Sequence, residues 1–129
     1  MMKIYEIGMT EKELSEMIYV NPMLEDITDE EIDDKIELLK SIGCQDEDIL
    51  HIVTSNPFCL TNDLDAMKET ITYLNDFDIN PLWVIFSVNP YALNLWKMEI
   101  EEYIELQLAK GIGMDDIIDH LEETFFIEL

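Results

Sequence analysis

Three Asn-Pro dipeptides punctuate the chain at near-even intervals: Asn21-Pro22, Asn56-Pro57 and Asn89-Pro90, 35 and 33 residues apart. Each occupies the same place in the same apolar pattern. Aligned on the prolines, Leu14, Ile49 and Leu82 stand eight residues upstream, and Met17-Ile18, Ile52-Val53 and Ile85-Phe86 stand five and four upstream. A spacing of i, i+3, i+4 puts these positions on one face of a helix. The residue before a proline is pushed out of the α region, so that helix ends at or just before the Asn. Two and three residues past the proline come Leu24-Glu25, Cys59-Leu60 and Ala92-Leu93. A second stripe follows at ten and fourteen: Ile32 and Ile36, Met67 and Ile71, Ile100 and Ile104, extended by Leu39 and Leu74. A recurrence of this length marks an α-solenoid of stacked helical hairpins.

Start and stop signals agree with that reading. Thr10 with Glu13 and Thr28 with Glu31 have the spacing of capping boxes. Asp63 stands where Thr28 stands one unit earlier, and Asn80-Pro81 reads as a cap followed by proline at the first helical position. Acidic residues crowd the helix starts, where the helix dipole favours them. Gly8 and Gly43 each follow an isoleucine and precede the next cap, which makes them helix-ending glycines in the left-handed region. In the third unit Asn75 to Asp78 takes that role without glycine. The spacing predicts helices over about 11–20, 29–41, 46–55, 63–75, 80–88, 94–109 and 114–125, and no strand. The expected fold is all-α, a short solenoid of about three helical-hairpin repeats in a single domain, 1–129. The repeats cover approximately 7–41, 42–75 and 76–109. A half-repeat over 110–129, carrying Ile117, Ile118, Leu121 and Phe125, closes the stack.

Charge narrows the partners. Thirty acidic residues face seven lysines, the net charge is −23, and arginine is absent. Nucleic acid is held by cations that displace counterions from phosphates, so this chain is repelled from it at long range. Acidic membrane headgroups are disfavoured for the same reason, and a basic protein partner is favoured. The segment Met1 to Tyr5 lacks the apolar core and cleavage site of a secretory signal. No apolar run approaches the roughly 20 residues that span a bilayer. The expectation is a soluble cytoplasmic protein. Apolar residues still make up 48% of the chain, enough for a packed core.

The unit can be written around its clearest copy: Ile42-Gly43, a polar stretch, Ile49-Leu50-His51-Ile52-Val53, Asn56-Pro57, then Leu60 and a second amphipathic helix. This pattern resembles the repeat of the mitochondrial transcription termination factor (mTERF) family over most of the chain. The resemblance implies a right-handed stack of α-α-3₁₀ units curved into a half-ring, with the short 3₁₀ segment at Phe58-Cys59-Leu60 and its counterparts. It also implies nucleic-acid binding on a concave surface lined with Arg and Lys, and docking onto proteins in some members. With no arginine present, no nucleic-acid contact is carried over. The lysines that could gather for that alternative are Lys35, Lys68 and Lys97.

Chemistry-bearing motifs are scarce. Cys44, His51 and Cys59 lack the short-spaced pairs of a zinc site, and both cysteines read as reduced, small hydrophobic residues. The acid pairs Asp33-Asp34, Glu101-Glu102, Asp115-Asp116 and Glu122-Glu123 fit solvated helix faces, and none lies in a calcium loop. No nucleophile motif or glycine-rich phosphate loop occurs. Neither enzymatic activity nor a cofactor is expected.

Aromatic residues concentrate in the third unit. Trp83, Tyr91 and Trp96 either fill the seam to the next unit or anchor an interface, where Trp and Tyr dominate. The terminus Phe125, Phe126, Ile127 and Leu129 either closes the core or docks on a partner or a second copy. The leading expectation is a non-enzymatic repeat module binding a basic protein partner through Trp83, Tyr91, Trp96 and Phe126. Nucleic-acid binding, or mimicry of DNA by surface carboxylates, is the alternative.

Overall fold

Each Asn-Pro pair bends the chain because proline's ring fixes φ and removes a donor. In the computed structural model, this bend is a short 3₁₀ turn between two helices. The structure describes residues 2–76, 82–88, 90–113 and 115–117, with side chains from residue 4 onward. In chain order the helices are α1 Met2–Glu6, α2 Glu11–Val20, α3 Asp29–Ser41, α4 Asp46–Ser55, α5 Leu64–Asn75, α6 Trp83–Val88 and α7 Lys97–Ala109. Three 3₁₀ turns headed by the prolines, η1 Pro22–Glu25, η2 Pro57–Thr61 and η3 Pro90–Asn94, complete the elements. No strand occurs among the described residues. The fold is the all-α helical-repeat type read from the Asn-Pro spacing.

Three expected helices start later than the spacing predicts: α6, α7 and α5, with α6 beginning at Trp83 and the described Leu82 still outside it. Asn94 belongs to η3, so α7 begins at Lys97 instead of near residue 94. α5 begins at Leu64. The spacing predicts no range for α1, although Gly8 reads as a helix-ending glycine. α1 ends like α3 and α7: in each, the amide of a glycine (Gly8, Gly43, Gly111) reaches back three residues, and the next amide reaches back five. This is the Schellman arrangement, and it needs positive φ at the glycine. The three values are +102°, +104° and +85°. The Asn80-Pro81 cap, Phe77, Asn89, His120 and the stripe beyond Ile117 lie outside the described residues. The part of the half-repeat that is described is helical over 115–117, with Ile117 buried.

Backbone contacts divide the chain into two compact units, Met1–Leu64 and Asp65–Leu129. In the first, like elements pack on like: α1 lies against α3 and η1 against η2, while η2 also meets α2, α3 and α4. Its core is Ile4, Ile7, Leu14, Met17, Leu24, Ile32, Ile36, Leu39, Ile49, Ile52, Val53, Cys59 and Leu60. In the second, α6 folds onto η3. The core there holds Met67, Ile71, Leu74, Leu82, Ile85, Phe86, Ala92, Leu93, Ile100, Tyr103 and Ile104. Every stripe position of the sequence alignment is thus buried, except Ile18, which is half-buried, and Glu25, which is exposed.

Candidate interaction surface

Asn-Pro geometry fixes which side chains face outward. Asn21 and Asn56 share one backbone conformation, φ/ψ of −130°/86° and −135°/81°. Each asparagine closes the α-helix before it through its N–H, to Met17 O at 2.7 Å and Ile52 O at 2.9 Å. Each also opens the 3₁₀ turn after it through its C=O, which accepts from Leu24 N at 3.1 Å and Cys59 N at 3.2 Å. Both asparagines are buried. The Asn21 amide donates to Pro57 O at 3.3 Å and to Thr61 Oγ1 at 2.9 Å. The Asn56 side-chain Oδ1 accepts from Phe58 N at 3.2 Å. The turns are alike, but their prolines differ in burial: Pro22 is exposed, Pro90 half-buried and Pro57 buried. Pro57 is enclosed because η2 has neighbours in α2, α3, α4 and η1.

One residue past each proline, the side chain turns away from the core. Met23, Phe58 and Tyr91 occupy this register, and all three are exposed. In the first unit, Tyr19 and Val20 at the end of α2 add to the exposed apolar surface. In the second unit, Tyr91 is 54% exposed and Trp96 is 61% exposed, whereas Trp83 is half-buried. Phe126 lies outside the described residues. Trp96 stands at the N-cap of α7 with extended backbone. Its side chain does not cap the helix; the Glu99 carboxylate accepts the Trp96 N–H at 3.0 Å instead.

The three nominated lysines have different fates. Lys35 is buried, 5% exposed, on α3. It lines a cleft of about 340 Å³ whose other walls are Glu31, Asp34, Thr61, Asn62, Asp63 and Leu64. Its positive charge also acts on the Cys59 thiol. Lys97 pairs with Glu101 at 3.2 Å and lies 5.8 Å from the centre of the Tyr73 ring. Lys68 alone of the three is exposed. Tyr73 has its pKa raised by burial and then by Glu101 and Glu105.

Both cysteines are free and buried. Burial pushes the Cys44 thiol up to about 12, with Asp48 adding to the effect. Burial does the same to Cys59, also about 12, against a smaller opposing pull from Lys35. His51 is exposed on α4, apart in burial from both thiols. Among the described residues, no group of three or more His, Cys, Asp or Glu is placed to hold a metal ion, and no helix is long and apolar enough to cross a membrane.

The α-α-3₁₀ unit, with its Asn-Pro joint and glycine-ended second helix, is the arrangement expected of the family that the sequence resembles. The mTERF family model matches residues 2–122. The chain belongs to the mTERF family. Neither the curated proteins nor the solved structures yield a significant match to it. Within this mTERF chain each unit has its own exposed apolar side chains: Met23 and Phe58 at the proline corners of the first, and Tyr91, Trp96, Met98 and Leu106 in the second, which supplies the candidate interaction surface. Met23, Phe58, Met98 and Leu106 were missed by sequence reasoning. The residue after every proline is apolar, but residue type alone does not separate an outward corner from a core position.

Proposed function

We propose that this mTERF-family chain is a non-enzymatic interaction module that binds a basic protein partner. The observation that carries the reading is the coincidence of solvent-facing aromatic residues, Tyr91 and Trp96, with a chain of net charge −23. Exposed aromatics supply contact area at low entropic loss, and complementary charge speeds encounter and orients it. Nucleic-acid binding needs accessible cations on phosphates. Of the three lysines placed to provide them, Lys35 is buried among carboxylates and Lys97 is engaged by Glu101.

Titration calorimetry against two probes tests this. A lysine-rich peptide is expected to bind in low salt and to weaken steeply as salt is raised, while a duplex DNA of equal length is expected to give no heat. Binding of the duplex without binding of the peptide would reverse the reading in favour of nucleic acid.

A further inference from the structure

The outward face of α7 differs from those of α3 and α5. α3 exposes Asp29, Glu30, Glu31, Asp34, Glu37, Lys40 and Ser41, and α5 exposes Asp65, Lys68, Glu69, Thr72 and Asn75. Neither shows a large apolar side chain to solvent. α7 buries the expected stripe positions Ile100 and Ile104 together with Tyr103, and exposes Met98 at 66%, Leu106 at 54% and, about a third of a turn away from their line, Leu108 at 45%. At 3.6 residues per turn, Met98, Glu102 and Leu106 follow one another at i, i+4, i+8, a line about 12 Å long. Glu99 and Glu105 are exposed on the same side of the helix. Between Met98 and Ala109 there is no basic residue, and the nearest cation upstream, Lys97, is held by Glu101.

Two apolar side chains separated by two turns and interleaved with carboxylates have a chemical complement: a segment with apolar anchors two turns apart and cations between them. Resting on the reading of a basic protein partner, we infer that the α7 face formed by Met98, Glu102, Glu105 and Leu106 docks a cationic amphipathic helix. The apolar pair takes the anchors of that helix, as in groove recognition by amphipathic helices. The glutamates set its orientation and exclude acidic segments by repulsion. The same face on α3 and α5 has carboxylates but no anchors, so it attracts cations without retaining a helix.

The test uses two synthetic sixteen-residue peptides of the same composition, rich in Leu and Lys. One is ordered so that its leucines form a helical stripe; the other is scrambled so that they do not. The full chain is expected to bind the ordered peptide about tenfold or more tightly than the scrambled one, the loss typical of removing an interface anchor. In Met98→Ser/Leu106→Ser that preference is expected to vanish. In Glu102→Gln/Glu105→Gln the affinity for both peptides is expected to fall and its salt dependence to flatten. Tyr5→Ser, an exposed aromatic on α1 with no part in the surface, is expected to keep the preference. All substituted side chains are exposed, and melting curves report whether each variant folds as the parent does. Equal binding of both peptides by the parent overturns the α7 site and leaves the basic-partner reading standing. So does loss of the preference in Tyr5→Ser alone. Concentration-dependent dimerisation that disappears in Met98→Ser/Leu106→Ser also overturns the site, since a second copy would then occupy the face. Failure of both peptides to bind overturns the basic-partner reading itself.

Discussion

Burying an amide is unfavourable unless its hydrogen bonds are made, and Asn21 makes them across to the next repeat, on Pro57 O and Thr61 Oγ1. Removing that side chain leaves two acceptors short of a donor. Asn21→Ala is expected to lower stability by about 1–3 kcal/mol in urea unfolding. Asn21→Asp should do worse, because it sets a carboxylate against a carbonyl. Cys59 gives a second residue-scale expectation. Its folded-state pKa is raised to about 12 by burial, so the neutral thiol is the form the fold prefers. The associated stability is fully present below the unfolded-chain value near pH 9 and is lost as pH rises from there toward 12. The total is on the order of 4 kcal/mol. Unfolding free energy measured at pH 8, 9.5 and 11 should fall more steeply for the parent than for Cys59→Ala. Equal slopes would show that the thiol does not contribute. Native Cys44 and Cys59 should likewise resist alkylation at pH 8 and react on unfolding.

At the scale of elements, α1, α3 and α7 each end in a glycine whose backbone other residues adopt only with strain. Gly111 tests this cleanly. Its φ is +85°, and an added Cβ would meet nothing within 4 Å, so Gly111→Ala isolates the conformational term, about 1–2 kcal/mol destabilising. Gly113 has the same open surroundings without a positive φ. Gly113, whose C=O accepts from Ile117 N, carries no such strain, and Gly113→Ala is expected to cost less than about 1 kcal/mol. Thermal melts of the two variants should therefore move apart, and parallel losses would refute the argument. Much at this scale was legible beforehand. The stripe from Leu14 to Ile104 predicted both the helices and their buried faces, because 3.6-residue periodicity and burial have the same cause. α1 was missed because Met2 to Glu6 is too short to show a period. The start of α7 was misplaced because Ala92 and Leu93 continue the apolar run into the 3₁₀ turn, where the residues are buried without being α-helical. Met98 and Leu106 went unremarked because they flank the stripe positions Ile100 and Ile104 in an apolar-rich stretch, where only the folded helix shows them to be outside.

For the whole molecule, electrostatics and packing oppose one another. A net charge of −23 on 129 residues destabilises the compact state by self-repulsion, and added salt screens it over a Debye length of about 10 Å at 0.1 M. The melting temperature is expected to rise between low and moderate NaCl, while affinity for a basic peptide falls over the same range. A melting temperature indifferent to salt would show that the carboxylates are too dispersed to matter. Membership of the mTERF family could be read from the Asn-Pro repeat because that pattern specifies backbone geometry. The exposed surface could be read only in part: Tyr91 and Trp96 were nominated from residue type, whereas Met23, Phe58, Met98 and Leu106 depend on which apolar side chains the geometry leaves uncovered.

One of the two atoms that Asn21 grips is a main-chain oxygen. A joint of that kind asks nothing of the neighbour's side-chain identity at that point. The residue facing Asn21 can therefore change its side chain while that half of the latch continues to close.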